Sequence, residues 1–200
     1  MAVFLHVGCG SKPKELTTHA FASGQWQEIR LDINPDEEPD IVGTMLDMSA
    51  VEDGSMDALF SSHNLEHLYP HELPLALAEF KRVLKPDGFA VITCPDLQSV
   101  CALIAEDKLL ETAYESPAGP IAPLDILYGH RPQLAAGNLY MAHRCGFTER
   151  VISGVLYSFG FGAVATARRQ YPFFDLWALA SMRQLDEAAL LKLASEHFPK

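Results

Sequence analysis

The sequence predicts an α/β fold: a doubly wound sheet, mostly parallel, with a C-terminal antiparallel hairpin. Three observations predict it. Apolar runs of strand length alternate with amphipathic segments of helix length through the first half of the chain. The first run, residues 3–7, meets the turn Gly8-Cys-Gly10. A central parallel strand ends this way, with side chains buried on both faces and then glycines where the backbone turns tightly. The last two runs, residues 161–168 and 175–181, are joined through Tyr171-Pro172 and form the hairpin.

Each element follows in order. Residues 11–22 are expected to form a helix, with Ser11 as cap and Pro13 in its first turn, stopping at Ser23-Gly24. Residues 25–31 alternate polar and apolar as a strand that ends at Asp32. An acidic loop at 36–40 leads to a short third strand at 41–43, and Leu46-Asp47-Met48 closes this half. The strand at 55–60 flows into Ser61-Ser-His-Asn-Leu-Glu-His-Leu-Tyr-Pro70. A helix over 71–84 places Leu73, Leu77, Phe80 and Leu84 on one face. Lys85-Pro-Asp-Gly88 is turn chemistry, and 89–94 is a buried strand ended by Pro95-Asp96. Beyond Leu97 the pattern loosens into a helix at 100–110 and then Pro and Gly at intervals. Residues 98–142 are therefore expected to cover the carboxyl ends of the strands as a substrate-facing insertion. A helix at 149–159 capped by Thr148, the two hairpin strands and a helix at 186–197 complete a single domain over residues 1–200.

Bulk properties exclude several classes. The formal charge of −11 disfavours a nucleic-acid partner, because phosphate affinity rests on Lys and Arg. The neighbouring basic residues Lys81, Arg82 and Lys85, and the pair Arg168-Arg169, read as solvated faces or carboxylate partners. No stretch approaches the roughly 18 apolar residues of a membrane span, and no basic region precedes an apolar one at the N-terminus. A cytoplasmic protein without a membrane partner is expected. Cys9, Cys94, Cys101 and Cys145 contain no C-x-x-C pair, so neither a disulfide framework nor a zinc ribbon is expected. Cys9 and Cys94 read as small buried residues.

Asp32 lies 22 residues past Gly10, close to the spacing of about 20 at which an acid ending a second strand reaches ribose hydroxyls. A carboxylate suits that task because it accepts two hydrogen bonds from a cis-diol; the bland alternative is an acid in a turn. Strand, glycine turn, helix, strand and acid together make a Rossmann-like unit. Asp47 either hydrogen-bonds an adenine amino group while Met48 packs on the ring, or caps residues 49–52. Pro13 stands where a dinucleotide fingerprint has its last glycine, which excludes a pyrophosphate site. His63-Asn-Leu-Glu66-His67 fits the inverted zincin pattern, which needs a continuous helix. A strand before it and Pro70 after it argue against that reading, so a zinc hydrolase is a remote alternative, no metal is expected and His67 reads as a loop or cap group.

Taken in order, Leu5-His-Val-Gly-Cys-Gly10, Leu31-Asp32-Ile-Asn, Ser55-Met-Asp57, Ser62-His-Asn-Leu-Glu66-His, Arg82-Val-Leu-Lys-Pro-Asp-Gly88 and Pro95-Asp96 resemble the class I S-adenosylmethionine-dependent methyltransferases, specifically the small methyltransferase-11-like group. A looser echo is His143-Arg-Cys-Gly-Phe-Thr148 with Phe159-Gly-Phe-Gly162. The resemblance implies S-adenosyl-L-methionine as cofactor. It implies a binding set of His6, Gly8, Cys9, Gly10, Asp32, Ile33, Asp47, Met48, Ser62 and His63. Gly8 and Gly10 would meet the methionine end, Asp32 the ribose, Asp47 and Met48 the adenine, and Ser62 and His63 the methyl sulfonium. For a hydroxyl or ammonium acceptor, His63 or His143 would serve as base; a structural role is the alternative for each. Lys12 replaces the third glycine of the usual turn and would face either the cofactor carboxylate or solvent. The helical segment that often precedes the first strand has no counterpart, which implies a more open site or one closed by residues 98–142 or a second subunit. The expected partner is a small-molecule or glycan-type acceptor, and a homodimer is compatible. The alternative class is a non-catalytic protein of the same fold that binds cofactor or a partner.

Overall fold

Strand β1 (Ala2–Val7) lies inside a seven-stranded sheet in the computed structural model, which describes residues 1–199. On one side of it lie β2 (Trp26–Asp32) and then β3 (Ile41–Val42). On the other lie β4 (Met56–Ser62) and β5 (Leu84–Pro95), and all four of these pairings are parallel. A separate two-stranded hairpin consists of β6 (Tyr114–Ser116) and β7 (Gly119–Ile121). The main sheet ends with β8 (Ala163–Arg169) at its edge and β9 (Asp175–Ser181) inserted between β8 and β5, antiparallel to both. The chain leaves β1 for β2 and β3 on one side, then returns to β4 on the other. That reversal opens a crevice at the carboxyl ends of β1 and β4, where ligands of open α/β sheets bind.

Both faces of the sheet are covered because its strands are apolar on both. From β1, Leu5 and Val7 join a core with helix α1 (Leu73–Val83) and α5 (Glu149–Ser158), while Phe4 joins a second core on the opposite face. Helix α1 buries Leu73, Ala76, Leu77, Phe80 and Val83, the stripe its periodicity demands. On the far face Phe21 stacks on Phe4 at 4.3 Å, under α6 (Glu187–His197). Of Lys81, Arg82, Lys85, Arg168 and Arg169, four turn out to be carboxylate partners, while Lys81 donates to the carbonyls of Phe159 and Gly160. Arg82 pairs with Glu79 and Asp53, Lys85 with Asp57, Arg168 with Asp96 and Arg169 with Asp175.

Some elements differ from the sequence reading. The helix expected at 11–22 is a single 3-10 turn, Lys14–Leu16. Lys14 Nζ folds back onto the carbonyls of Ser23 and Trp26, and the Thr18 hydroxyl is taken by the Phe21 N–H and by His197 Nδ1. The Thr17 and Thr18 hydroxyls thus bond nearby backbone in place of a helical ladder, and Lys14 ties the segment to the start of β2. Helix α2 (Leu97–Ala105) starts three residues before the expected 100, because Asp96 caps it by accepting from Gln98 N–H at 3.1 Å. Thr148 stands at the start of α5 without a side-chain cap bond. Residues 85–88 bulge from β5, so that Leu84 pairs with Met56 while Phe89 pairs with Ala58. Within 98–142 lie α2, the β6–β7 hairpin, α3 (Pro123–Tyr128) and α4 (Arg131–Ala135). Among the described residues no helix is long and apolar enough to cross a membrane.

Candidate functional site

The crevice at the switch point is built around the glycine turn. Gly8 and Gly10 have φ of +62° and +49°, a region that glycine enters without strain. The turn is held on three sides. Gly8 N–H donates to Leu31 O at 2.8 Å, Gly10 N–H donates to Asp32 Oδ2 at 2.7 Å, and the Arg30 guanidinium donates to Gly10 O. Asp32 Oδ1 accepts from Asn34 N–H at 2.9 Å. Each carboxylate oxygen therefore keeps a second lone pair for a ligand hydroxyl. Asn64 Nδ2 donates to Val7 O at 2.9 Å, which lays the Asn64 side chain directly against Gly8.

Gly8, Gly10, Asp32, Ile33, Ser62 and His63 all line this cleft, a cavity of about 400 Å³. Four other residues of the expected set do not. His6 is buried on the opposite face, where its Nδ1 meets Glu28 Oε1 at 2.6 Å. Burial and the nearby Lys12 and Arg30 charges push its pKa down to about 3. The Cys9 side chain is buried too, and burial raises its thiol to about 11. Met48 is 1% exposed and packs in the core, its N–H donating to Glu79 Oε2 at 2.6 Å. Asp47 accepts from Ser49 N–H, the capping geometry rather than the adenine one. Thr44, Met45 and Leu46 line the cleft instead, together with Asn34 and Asn64. The apolar character of 44–48 was a usable signal, but a loop has no period to say which residues face inward.

His63 stands where the cleft meets a second cavity of about 460 Å³, and His63, His67, Asn138 and Met141 line both. His63 has φ +57° and its N–H donates to Thr93 O at 2.9 Å, which fixes it at the end of β4 beside β5. The second cavity is walled by Tyr114, Ile121, Ile126, Phe173 and Phe174, with His143 and Glu66 among its polar groups. Glu66 O accepts from Arg144 N–H at 2.7 Å and Cys145 N–H at 3.2 Å, and this brings His143 beside the turn that follows His63. Burial holds the His143 pKa below the usual histidine range. Burial disfavours the Glu66 charge, but His63, His67 and His143 around it outweigh that and hold the carboxyl low. Lys12 points inward: its Nζ donates to Ser62 Oγ at 3.3 Å, and burial lowers its pKa. It lines a third cavity, about 910 Å³, against α6.

The strand order and the C-terminal antiparallel pair decide the architecture. The chain carries the class I methyltransferase fold. Residues 5–92 match the family model of the methyltransferase domain. The fold is shared with the 1,6-didemethyltoxoflavin-N1-methyltransferase of Burkholderia thailandensis, solved with its substrate and S-adenosylhomocysteine, at a TM-score of 0.58 and 17% identity over 91% of this chain and 71% of that one. An S-adenosylmethionine-dependent methyltransferase from Methanosarcina mazei is similar at TM-score 0.58 and 17% identity, covering 92% and 93% of the two chains. One from Archaeoglobus fulgidus gives 0.58 and 16%, covering 90% and 86%. No curated protein matches the sequence. The Burkholderia structure holds S-adenosylhomocysteine, and the Methanosarcina and Archaeoglobus structures are described as S-adenosylmethionine-dependent methyltransferases.

Proposed function

We propose that this methyltransferase-fold chain moves a methyl group from S-adenosylmethionine to a small-molecule acceptor seated beneath residues 98–142. The observation that carries the reading is the junction of the two cavities at His63. When bound, S-adenosylmethionine would supply an electrophilic methyl group on a sulfonium, whose sulfur is already a good leaving group. The protein's part is mostly alignment. Asp32 takes the ribose hydroxyls, the Gly8–Gly10 turn admits the methionine end, and Met45 and Leu46 flank the adenine. His63 removes the proton from a hydroxyl or ammonium acceptor. His143 is the poorer base, because its burial disfavours the protonated ring. Aromatic and aliphatic walls around a cavity of this size suit a compact acceptor with an apolar body better than a glycan.

The test is release of S-adenosylhomocysteine with a panel of small hydroxyl and amine acceptors, on wild type, His63→Ala and His63→Gln. General-base catalysis contributes at least about 100-fold, so both variants should lose that much in kcat. An unchanged kcat removes His63 from the chemistry. Tight cofactor binding with no transfer to any acceptor favours the non-catalytic protein.

A further inference from the structure

Glu66 is 1% exposed, and among the described residues neither of its carboxylate oxygens has a hydrogen-bond partner. His63 Nδ1 stands 3.3 Å from Oε1 without the alignment of a hydrogen bond. A buried carboxylate left this way is costly unless a donor, a proton or a cation satisfies it. The groups beside it are His67 and His143, and the ligand atoms of the three residues lie within 4.8 Å of one another. Both histidines place Nδ1 on a backbone carbonyl: His67 on Ala142 O at 3.2 Å, His143 on Ile126 O at 2.7 Å. A carbonyl only accepts, so Nδ1 carries the proton in each ring and Nε2 keeps its lone pair. Metal-ligating histidines are oriented by such outer bonds.

We propose that Glu66, His67 and His143 bind a divalent cation of the zinc class, with an open coordination position toward the second cavity. Two imidazole nitrogens and one carboxylate oxygen form a donor set that zinc takes, the fourth position going to water or substrate. Magnesium and calcium prefer all-oxygen sets. Ligand atoms around tetrahedral zinc sit about 3.4 Å apart at bond lengths near 2.1 Å, so modest side-chain rotations close the set. All three residues line the cavity in which an acceptor is placed, and an oxygen or nitrogen lone pair of that acceptor fits the open position. The site differs from the inverted zincin pattern of the sequence. Residues Leu65–His67 form only a 3-10 turn, and His63 precedes it in a left-handed conformation. The second imidazole comes from His143, delivered by the backbone bonds of Arg144 and Cys145 to Glu66. The cation site stands whether or not the chain methylates anything.

Tag-free full-length protein, purified without chelator, is titrated with Zn²⁺ against a chromophoric chelator and with Co²⁺ by visible absorption. The expected result is one equivalent per chain, Co²⁺ bands of a low-coordinate N/O site, and a Tm raised by Zn²⁺. Loss of outer-shell partners alone weakens metal sites 10–100-fold. Removing a ligand, in His67→Ala, His143→Ala or Glu66→Gln, should weaken binding by more than about 100-fold, while exposed His71→Ala binds as wild type. Folded wild type that takes up no stoichiometric Zn²⁺ or Co²⁺ overturns the proposal, with no variant needed. So does a His143→Ala chain that binds as tightly as wild type. Calorimetry with S-adenosylhomocysteine on the same samples reads the cofactor cleft independently.

Discussion

A Cβ added to Gly8 would stand 2.1 Å from Asn64 Oδ1 and 2.4 Å from its Cγ, in a backbone conformation that L side chains rarely adopt. Asn64 cannot swing aside freely, because its Nδ2 also reaches Ser61 Oγ and Ser62 O at 3.3 and 3.2 Å. Gly8→Ala is expected to cost about 1–3 kcal/mol in urea unfolding and to weaken cofactor binding. A variant as stable as wild type contradicts this account of the turn. Gly8, Gly10 and Asp32 were legible in the sequence because glycines and an acid at fixed spacing have a joint physical meaning. His6 was misplaced because it still belongs to the strand: alternation puts it on the face of Phe4, packed near Phe4 and Phe60, before the chain reaches the turn. Met48 failed for another reason: only packing against Glu79 and the core decides that it turns inward while Met45 and Leu46 line the cleft.

Among the elements, α2 and β8 are joined through Asp96, Ser99 and Arg168. Asp96 is fully buried; it caps α2, bonds Ser99 Oγ at 2.5 Å and takes Arg168 Nη2 at 2.7 Å. Asp96→Ala removes a cap and leaves the Arg168 charge without its partner, for an expected loss of about 3 kcal/mol. Asp96→Asn should lose less, and equal urea midpoints for wild type and Asp96→Ala would refute the assignment. The pattern of apolar residues located β1, β4, β5, α1, α5 and the closing hairpin, since their burial follows directly from periodicity. It overstated the first helix, where Lys14 and Thr18 spend their polar groups on tertiary bonds that no local rule foresees. It missed the meeting of residues 63–67 with 143–145 for the same reason, because that contact rests on backbone bonds to Glu66 O.

For the whole molecule, two fully buried histidines set the acid limit. Burial pushes His6 down to about 3 and His197 down to about 4, against about 6.5 in the unfolded chain. Between those values the unfolded chain binds more protons than the folded one. Stability therefore falls as pH drops below about 6.5, each histidine contributing up to about 1.4 kcal/mol per pH unit. Urea midpoints should decline from pH 7 to pH 5, and His197→Gln should flatten the decline; a flat wild-type profile contradicts the burial of both rings. The cleft at the switch point of the sheet is the proposed cofactor site. Titration calorimetry with S-adenosylhomocysteine tests it most directly, on wild type and Asp32→Ala. A single site per wild-type chain is expected, weakened more than about tenfold when the Asp32 carboxylate is removed. Absence of binding to the folded wild-type chain, or equal affinity in Asp32→Ala, would contradict it.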